Sequence, residues 1–217
     1  MTTPSEAPAR VIAAMLDRAA LVRRGQRLQW ATIGWNSAEF VIAVVAGLLA
    51  GSVALVGFGF DSAIEVVSSV AAVWRLRRDA DECTREAAER RTLRVIGVCF
   101  LLLAAWVTWD AVASLVRREV PAESFTGIGL AAMSMLVMPV LVRMKRRVAS
   151  ALGSGALEAE SRQTAICAYL SAILLAGLGL NAWLGWWWAD PVAGLVMVPM
   201  IAKEGLEAVR GEACCAD

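Results

Sequence analysis

Six apolar segments follow one another along the chain, and each is long enough to cross a membrane as a helix. They cover approximately residues 30–50, 53–74, 95–116, 125–142, 161–183 and 190–208. A span needs about 20 mainly apolar residues, and inside lipid a helix satisfies all its own backbone hydrogen bonds. The chain is 59% hydrophobic with a mean hydropathy of +0.61, which is too apolar for a soluble domain. We therefore predict an all-α, polytopic membrane protein with six transmembrane helices.

Positively charged residues concentrate at one end of the predicted bundle. They lie in residues 1–29, in the stretch 75–94 after the second segment, and in 143–147 after the fourth. The positive-inside rule places such stretches in the cytoplasm, so we expect both termini there, in an inner (plasma) membrane of bacterial type. The predicted organisation is a cytoplasmic basic lead-in, a transmembrane domain over 30–208, and a cytoplasmic cysteine-containing tail over 209–217.

The composition argues against several classes of function. The formal net charge is +1, which provides no strong field to attract nucleic acid, and we expect no such partner. There is no histidine, so the commonest transition-metal ligand and proton shuttle is missing. A thiol enzyme would need a base or a second redox cysteine near Cys167, and no CxxC pattern occurs. We predict that the protein is not an enzyme and uses no organic cofactor.

Two carboxylates interrupt the second apolar segment. Asp61 and Glu65 are four residues apart, so on a helix they share one face, one turn from each other. A charged side chain in the hydrocarbon region costs about 3 kcal/mol on insertion scales, and two acids on one face also repel each other. We interpret the pair as ligands of a cation. The alternative is a pair of structural carboxylates bonded to arginine or to backbone.

Two further segments carry polar residues that are candidate ligands. Gln163 and Cys167 are also four residues apart, near the start of the fifth segment. A thiolate is a strong soft ligand and an amide oxygen a weak one, although a lone cysteine is more often a small core residue. In the first segment, Asn36 and Glu39 are candidate additional ligands or proton carriers, with a structural role about equally well supported.

Two adjacent cysteines, Cys214 and Cys215, stand in the predicted cytoplasmic tail. In a reducing compartment they would be free thiols, able to receive or hand over a soft metal ion. Two thiols alone do not complete a tetrahedral site. We therefore consider cytoplasmic metal capture by this pair, with a dispensable tail as the alternative.

Taken in order, these motifs resemble the cation diffusion facilitator family of metal transporters. Asp61, Glu65 and Ser69 match the spacing of that family's second span, which carries an acid or histidine, an aspartate and a serine. The matches in the last two spans are Ala156, Leu157, Ala159, Glu160, Gln163, Cys167, Ser171, Asp190, Pro191 and Gly205. The resemblance covers about residues 30–208. It implies the transmembrane domain of that family without its cytoplasmic C-terminal domain.

The resemblance implies a transport site formed by Asp61, Glu65, Gln163 and Cys167. Gln163 stands where the family has histidine, and Cys167 where it has aspartate. Two carboxylates, a thiolate and an amide suit Zn²⁺ or Cd²⁺ as transported substrate, with other soft or borderline divalent metals open. The implied activity is efflux by metal/proton antiport through alternating access, in a homodimer embedded in the lipid bilayer. The alternative is a non-transporting membrane metal sensor, chaperone or structural protein on the same scaffold.

Overall fold

The described part of the chain folds into six α-helices, as a computed structural model shows. The structure describes residues 6–77, 82–153 and 155–210, with side chains in 19–74, 94–153, 157–158 and 160–210. The helices are α1 (Glu6–Ala50), α2 (Val53–Arg77), α3 (Glu82–Arg117), α4 (Phe125–Leu152), α5 (Gly155–Leu184) and α6 (Ala189–Arg210). No strand occurs within these ranges. The prediction of an all-α fold is confirmed.

Five helices are long and apolar enough to cross a membrane, as expected of an integral multi-pass membrane protein. The spans are Ala19–Ala50, Val53–Trp74, Arg94–Arg117, Phe125–Leu152 and Glu160–Leu184. The sixth predicted span lies in α6, which does not meet the same criterion. Asp190 at its start and Lys203 and Glu204 near its end leave only a short apolar run between them.

The six helices extend beyond their predicted spans, as α1 and α4 illustrate. α1 continues without a break through position 30, where we placed the start of the first span. α4 continues to Leu152, although the sequence analysis ended the fourth span at residue 142. The basic run 143–147 therefore lies inside α4. The helix ends at Leu152, and Gly153 caps it in the left-handed conformation. We had placed this basic run after the fourth span, and the helix continues through it.

Glycines allow two pairs of helices to pack with their backbones in close contact. α1 and α2 form an antiparallel hairpin around Gly51, and α3 packs along α6. A Cβ atom on Gly97 of α3 would lie 2.7 Å from the carbonyl oxygen of Gly205 in α6. A Cβ on Gly47 of α1 would lie 2.6 Å from the Val56 side chain of α2. Small residues at such crossings are the usual basis of helix packing in lipid, where dispersion contacts replace the hydrophobic effect.

The first turn of α2 is capped by a residue from α6. Asp190 Oδ2 accepts a hydrogen bond from the backbone N–H of Val53 at 3.0 Å, and its Oδ1 accepts from the Ser52 hydroxyl at 2.6 Å. Ser52 Oγ in turn accepts from the N–H of Leu55 at 3.1 Å. The first N–H groups of a helix have no intrahelical partner, so they need an acceptor from elsewhere. A carboxylate at this end also interacts favourably with the helix dipole. This contact fixes the end of α2 that precedes the acidic face.

Contacts near the C-terminal part of α5 define a level that α2 and α5 share. Leu55 of α2 and Leu178 of α5 lie at one level, because a Cβ on Gly127 would be 2.6 Å and 3.0 Å from their side chains. Glu65 is about 15 Å along α2 from this level and Cys167 about 16 Å along α5, by the helical rise. The two side chains therefore reach the same depth, and α5 continues straight beyond Leu178 to the exposed Trp183.

We expect Asp190→Ala to lower the free energy of unfolding by about 1–3 kcal/mol, because it leaves the Val53 N–H and the Ser52 hydroxyl buried without their acceptor. Thermal and denaturant unfolding in mild detergent, followed by circular dichroism, measures the loss. Glu123→Ala, at an exposed position between α3 and α4, is the control and should change stability by less than about 0.5 kcal/mol. Equal stability of both variants would contradict the capping role.

Candidate metal site

One face of α2 carries the polar residues that the sequence singled out. Asp61, Glu65 and Ser69 follow one another at intervals of four residues, so their side chains stack along the same side of the helix. All three are buried, as is Ser62 beside them. The same helix presents Phe60, Val67 and Val70 on its exposed side. The acids therefore point into the bundle and the apolar residues point outward, as expected for a helix in lipid.

The acidic face of α2 packs against α5, which runs antiparallel to it. Ser69 Oγ donates to Glu160 Oε1 at 2.9 Å, and Thr164 Oγ1 donates to Glu65 Oε1 at 2.6 Å. One turn further along α5, the thiol of Cys167 lies within interaction range of the carboxylates of both Asp61 and Glu65. The structure therefore brings together three of the four predicted ligands.

α1 adds a third carboxylate to the same interior region. Glu39 Oε2 accepts a hydrogen bond from Ser62 Oγ at 2.9 Å, and its charge interacts with Glu65. Its other oxygen, Oε1, is buried without a hydrogen bond of normal geometry, although the polar groups of Ser134 and Trp35 lie close to the Glu39 carboxylate. Asn36, one turn earlier on α1, is fully buried, and neither polar atom of its amide has a partner. These atoms are unsatisfied acceptors and donors in an apolar interior, which normally requires a compensating ligand or water.

Gln163 is the predicted ligand that the structure does not join to the others. Its side chain is half-buried, its Nε2 atom is buried without a partner, and no hydrogen bond links it to Asp61, Glu65 or Cys167 in the described part of the chain. The next residue, Thr164, contacts Glu65 instead. Residue 163 lies about 100° around the helix from residue 164. Its amide therefore does not point in the direction in which Thr164 contacts Glu65.

No three His, Cys, Asp or Glu side chains, among those the structure describes, are arranged so that they could hold a metal ion between them. Within the acidic pair, Glu65 Oε1 already bonds to Thr164 and lies 4.0 Å from Lys145, whereas Glu65 Oε2 has no hydrogen-bond partner. The assignment of Asp61, Glu65, Gln163 and Cys167 as ligands stays a prediction. The predicted capture site at Cys214 and Cys215 lies outside the described residues.

A buried lysine next to this cluster was missed by the sequence analysis. Lys145 of α4 is 1% exposed, and its Nζ lies 2.8 Å from Glu160 Oε1 and 2.9 Å from Thr164 Oγ1. We had counted it only with the basic run 143–147 that we assign to the cytoplasm, and we did not predict its burial. The helical period of the sequence could have indicated its burial. Met138, Val142 and Lys145 follow at intervals of four and three residues, so they lie on the same buried side of α4.

Glu160 is the centre of the hydrogen bonds around Lys145. Its Oε1 accepts from Lys145 and Ser69, and its Oε2 accepts a short hydrogen bond from Gln29 Nε2. Together with Thr164, these side chains come from α1, α2, α4 and α5, and α5 contributes both Glu160 and Thr164. A buried charge is tolerated when it is both paired and hydrogen-bonded, and Glu160 meets both conditions. We refer to Gln29, Ser69, Lys145, Glu160 and Thr164 as the lysine network.

Residues 30–212 match the family model described as the cation efflux transmembrane domain. The chain belongs to the cation efflux family. It is also similar to an uncharacterized transporter of Methanocaldococcus jannaschii, with 25% identity over 169 residues. The matched region covers 75% of this chain and 59% of that relative, so the chain spans well under two thirds of the length of the curated relative it matches.

This cation efflux protein holds two chemically different layers in its interior. One layer, formed by Glu39, Asp61, Glu65 and Cys167, contains three carboxyl groups and a thiol without a basic residue among them. The other is the lysine network, whose charges balance each other. Carboxyl groups crowded in a low-dielectric interior repel one another, so the acidic layer needs protons or a cation. It has the chemistry of a cation site, and Glu65 connects it to the lysine network.

We expect Lys145→Met to lower the free energy of unfolding by about 3–5 kcal/mol, because it leaves Glu160 buried without its cation. The double variant Lys145→Met/Glu160→Gln should lose less, since no unpaired charge is left. Unfolding in mild detergent measures both variants. Lys203→Met is the matched control: Lys203 is 74% exposed, pairs with Glu207 at 3.7 Å and should contribute less than about 1 kcal/mol. If the double variant lost as much unfolding free energy as Lys145→Met and Glu160→Gln lose when their separate losses are added, the result would contradict the pairing.

Proposed function

We propose that the protein is a divalent transition-metal efflux transporter, with Zn²⁺ or Cd²⁺ as substrate. The observation that carries the proposal is the interaction of Cys167 on α5 with Asp61 and Glu65 on α2 inside the bundle. Intramembrane ionisable residues usually mark ion pathways, because their burial is otherwise too costly. Membership of the cation efflux family and similarity to a transporter of Methanocaldococcus jannaschii support transport over catalysis.

The ligand types favour a borderline or soft metal. Two carboxylates and one thiolate, with Gln163, Glu39 or Asn36 as a further donor, make a mixed oxygen and sulfur set. Zinc accepts such a set in tetrahedral geometry, and the sulfur increases the preference for cadmium. Calcium and magnesium prefer oxygen ligands throughout, so Cys167 argues against them. We expect other soft or borderline divalent metals to compete with zinc and cadmium.

Metal binding in such a site is coupled to protons. The ligands bind metal in their deprotonated forms, so metal entry displaces protons and metal release takes them up again. This exchange supports metal/proton antiport, with alternating access to a site buried within the bundle. For the whole protein we propose both termini on the cytoplasmic side of an inner membrane, and a homodimer as the transporting unit. We also keep cytoplasmic metal capture by Cys214 and Cys215 as a proposal.

A second candidate function is a membrane metal sensor, chaperone or structural protein on the same scaffold. One observation favours it: Glu65 Oε1 is already bonded to Thr164 and lies 4.0 Å from Lys145, as a purely structural carboxylate would be. Purified protein in sealed vesicles separates the two functions. Metal binding without movement of metal across the vesicle membrane would support the second candidate and overturn the first.

We expect Cys167→Ser to reduce cadmium transport into proteoliposomes by at least about 100-fold and zinc transport by less. Loss of a ligand lowers metal affinity at least as much as loss of the hydrogen-bond partner of a ligand. Sulfur contributes more to the binding of cadmium than to the binding of zinc. Cys99→Ser is the matched control, because Cys99 is an exposed thiol on α3. Asp61→Asn should abolish transport of both metals. Cadmium transport unchanged in Cys167→Ser would overturn the ligand assignment.

We expect the affinity for Zn²⁺ to rise with pH, because protonated ligands must lose their protons before they bind metal. Titration calorimetry at about pH 6 and about pH 8 should show tighter binding at the higher pH. In weakly buffered solution, an indicator dye should report protons released on zinc addition to the wild type. The release should be smaller in Asp61→Asn. Zinc binding with no proton release would contradict the antiport proposal.

A further inference from the structure

The two carboxylate oxygens of Glu65 have different surroundings. Oε1 accepts a hydrogen bond from the hydroxyl of Thr164 at 2.6 Å and lies 4.0 Å from Lys145 Nζ. Oε2 is buried and has no hydrogen-bond partner. The whole residue is only 2% exposed, so water outside the protein does not satisfy it. One oxygen is thus held by the protein, while the other is free for a ligand in the acidic layer.

The direction of the hydrogen bonds between Lys145 and Glu65 is fixed by their donors. A lysine ammonium group donates and cannot accept, so Thr164 Oγ1 accepts from Lys145 Nζ at 2.9 Å. The hydroxyl has one proton to donate, and Glu65 Oε1 at 2.6 Å is a closer acceptor than the Glu160 carbonyl at 3.2 Å. Lys145 therefore polarises Thr164, and Thr164 donates to Glu65. Hydrogen bonds arranged in such a chain strengthen one another.

Lys145 is itself held in place by groups that do not belong to the acidic layer. Glu160 pairs with it at 2.8 Å, and Gln29 and Ser69 bond to the same carboxylate. This part of the lysine network joins four helices, so the ammonium group has little freedom to move. A hydrogen-bond donor fixed in this way fixes the orientation of the carboxylate that it reaches through Thr164.

We propose that Thr164 and Lys145 are positioning residues of the metal site, which hold Oε1 of Glu65 and leave Oε2 alone to coordinate the ion. Glu65 then binds metal through a single oxygen, and its orientation does not depend on the metal. Partners that orient a ligand in this way typically change metal affinity about 10–100-fold when they are lost. This inference rests on the proposed metal site and adds two residues that the sequence did not assign to it.

Cadmium binding to the purified full-length protein in detergent tests the proposal. The probe is Cd²⁺ alone, followed by the ultraviolet charge-transfer band of the cadmium–thiolate bond at Cys167. We expect Thr164→Val, which keeps the shape and removes the hydroxyl, to weaken cadmium binding about 10–100-fold. Thr164→Ser restores a hydroxyl and should bind within about threefold of the wild type. At saturation both variants should reach the wild-type band, because Cys167 is unchanged.

The outcomes separate the positioning role from the metal site itself. A wild-type protein without a Cys167-dependent cadmium band would overturn the proposed ligand set and the positioning role together. A wild-type band combined with unchanged affinity in Thr164→Val would overturn only the positioning role. Serine and valine variants that are weakened equally would also overturn it, since a loss through packing does not distinguish a hydroxyl from a methyl group.

Infrared difference spectra provide a second test, which reports how the carboxylate of Glu65 coordinates the ion in the wild-type protein. Addition of Cd²⁺ should shift carboxylate bands, and coordination through one oxygen separates the symmetric and antisymmetric stretches more than coordination through two. Comparison with Glu65→Gln identifies the bands that belong to Glu65. We expect the one-oxygen pattern for Glu65. A two-oxygen pattern would overturn the proposal, because Oε1 would then have left Thr164 for the metal.

Discussion

The buried ion pair between Lys145 and Glu160 is the interaction on which the interior arrangement depends. Either charge alone would be very costly in an apolar interior, and together they are stable only with nearly complete hydrogen bonding. Glu160 obtains that bonding from α1, α2 and α4, while Lys145 also reaches Thr164. Four helices are therefore held in one register by a single carboxylate. Apolar packing alone would not specify this register, because dispersion contacts in lipid are weakly directional.

That register also decides which side chains of α2 and α5 meet. Ser69 pairs with Glu160 and Glu65 with Thr164, so the antiparallel helices keep a constant offset along their lengths. The same offset, continued by one turn, places Cys167 beside Asp61. A shift of α5 by one residue would rotate the thiol away by about 100° and would separate Lys145 from Glu160. The acidic layer and the lysine network are thus consequences of one helix pairing.

The helices and the acidic face of α2 could be predicted because they depend on local patterns. Apolar segments of sufficient length predict spans, and the four-residue spacing of Asp61 and Glu65 predicts one face. Lys145 was missed because it stands in a basic run that we assigned to the cytoplasm, whereas its burial depends on Glu160 in another helix. The choice between Gln163 and Thr164 also required the structure. Both are near the predicted face, and the rotation of α5 against α2 decides which of them contacts Glu65.

The hydrogen bonds that join the two layers restrict which movements the bundle can make. Their members come from α1, α2, α4 and α5, whereas α3 and α6 pack against each other through Gly97 and Gly205. A movement of the α3–α6 pair against the other four helices would leave these hydrogen bonds unbroken, but it would act on the bonds of Asp190 to Ser52 and Val53 at the start of α2. A movement of α5 against α2 would break the bonds of Glu65 and Glu160 together and would expose two charges to lipid. The cost of unpaired charge therefore opposes most strongly any movement that separates α2 from α5.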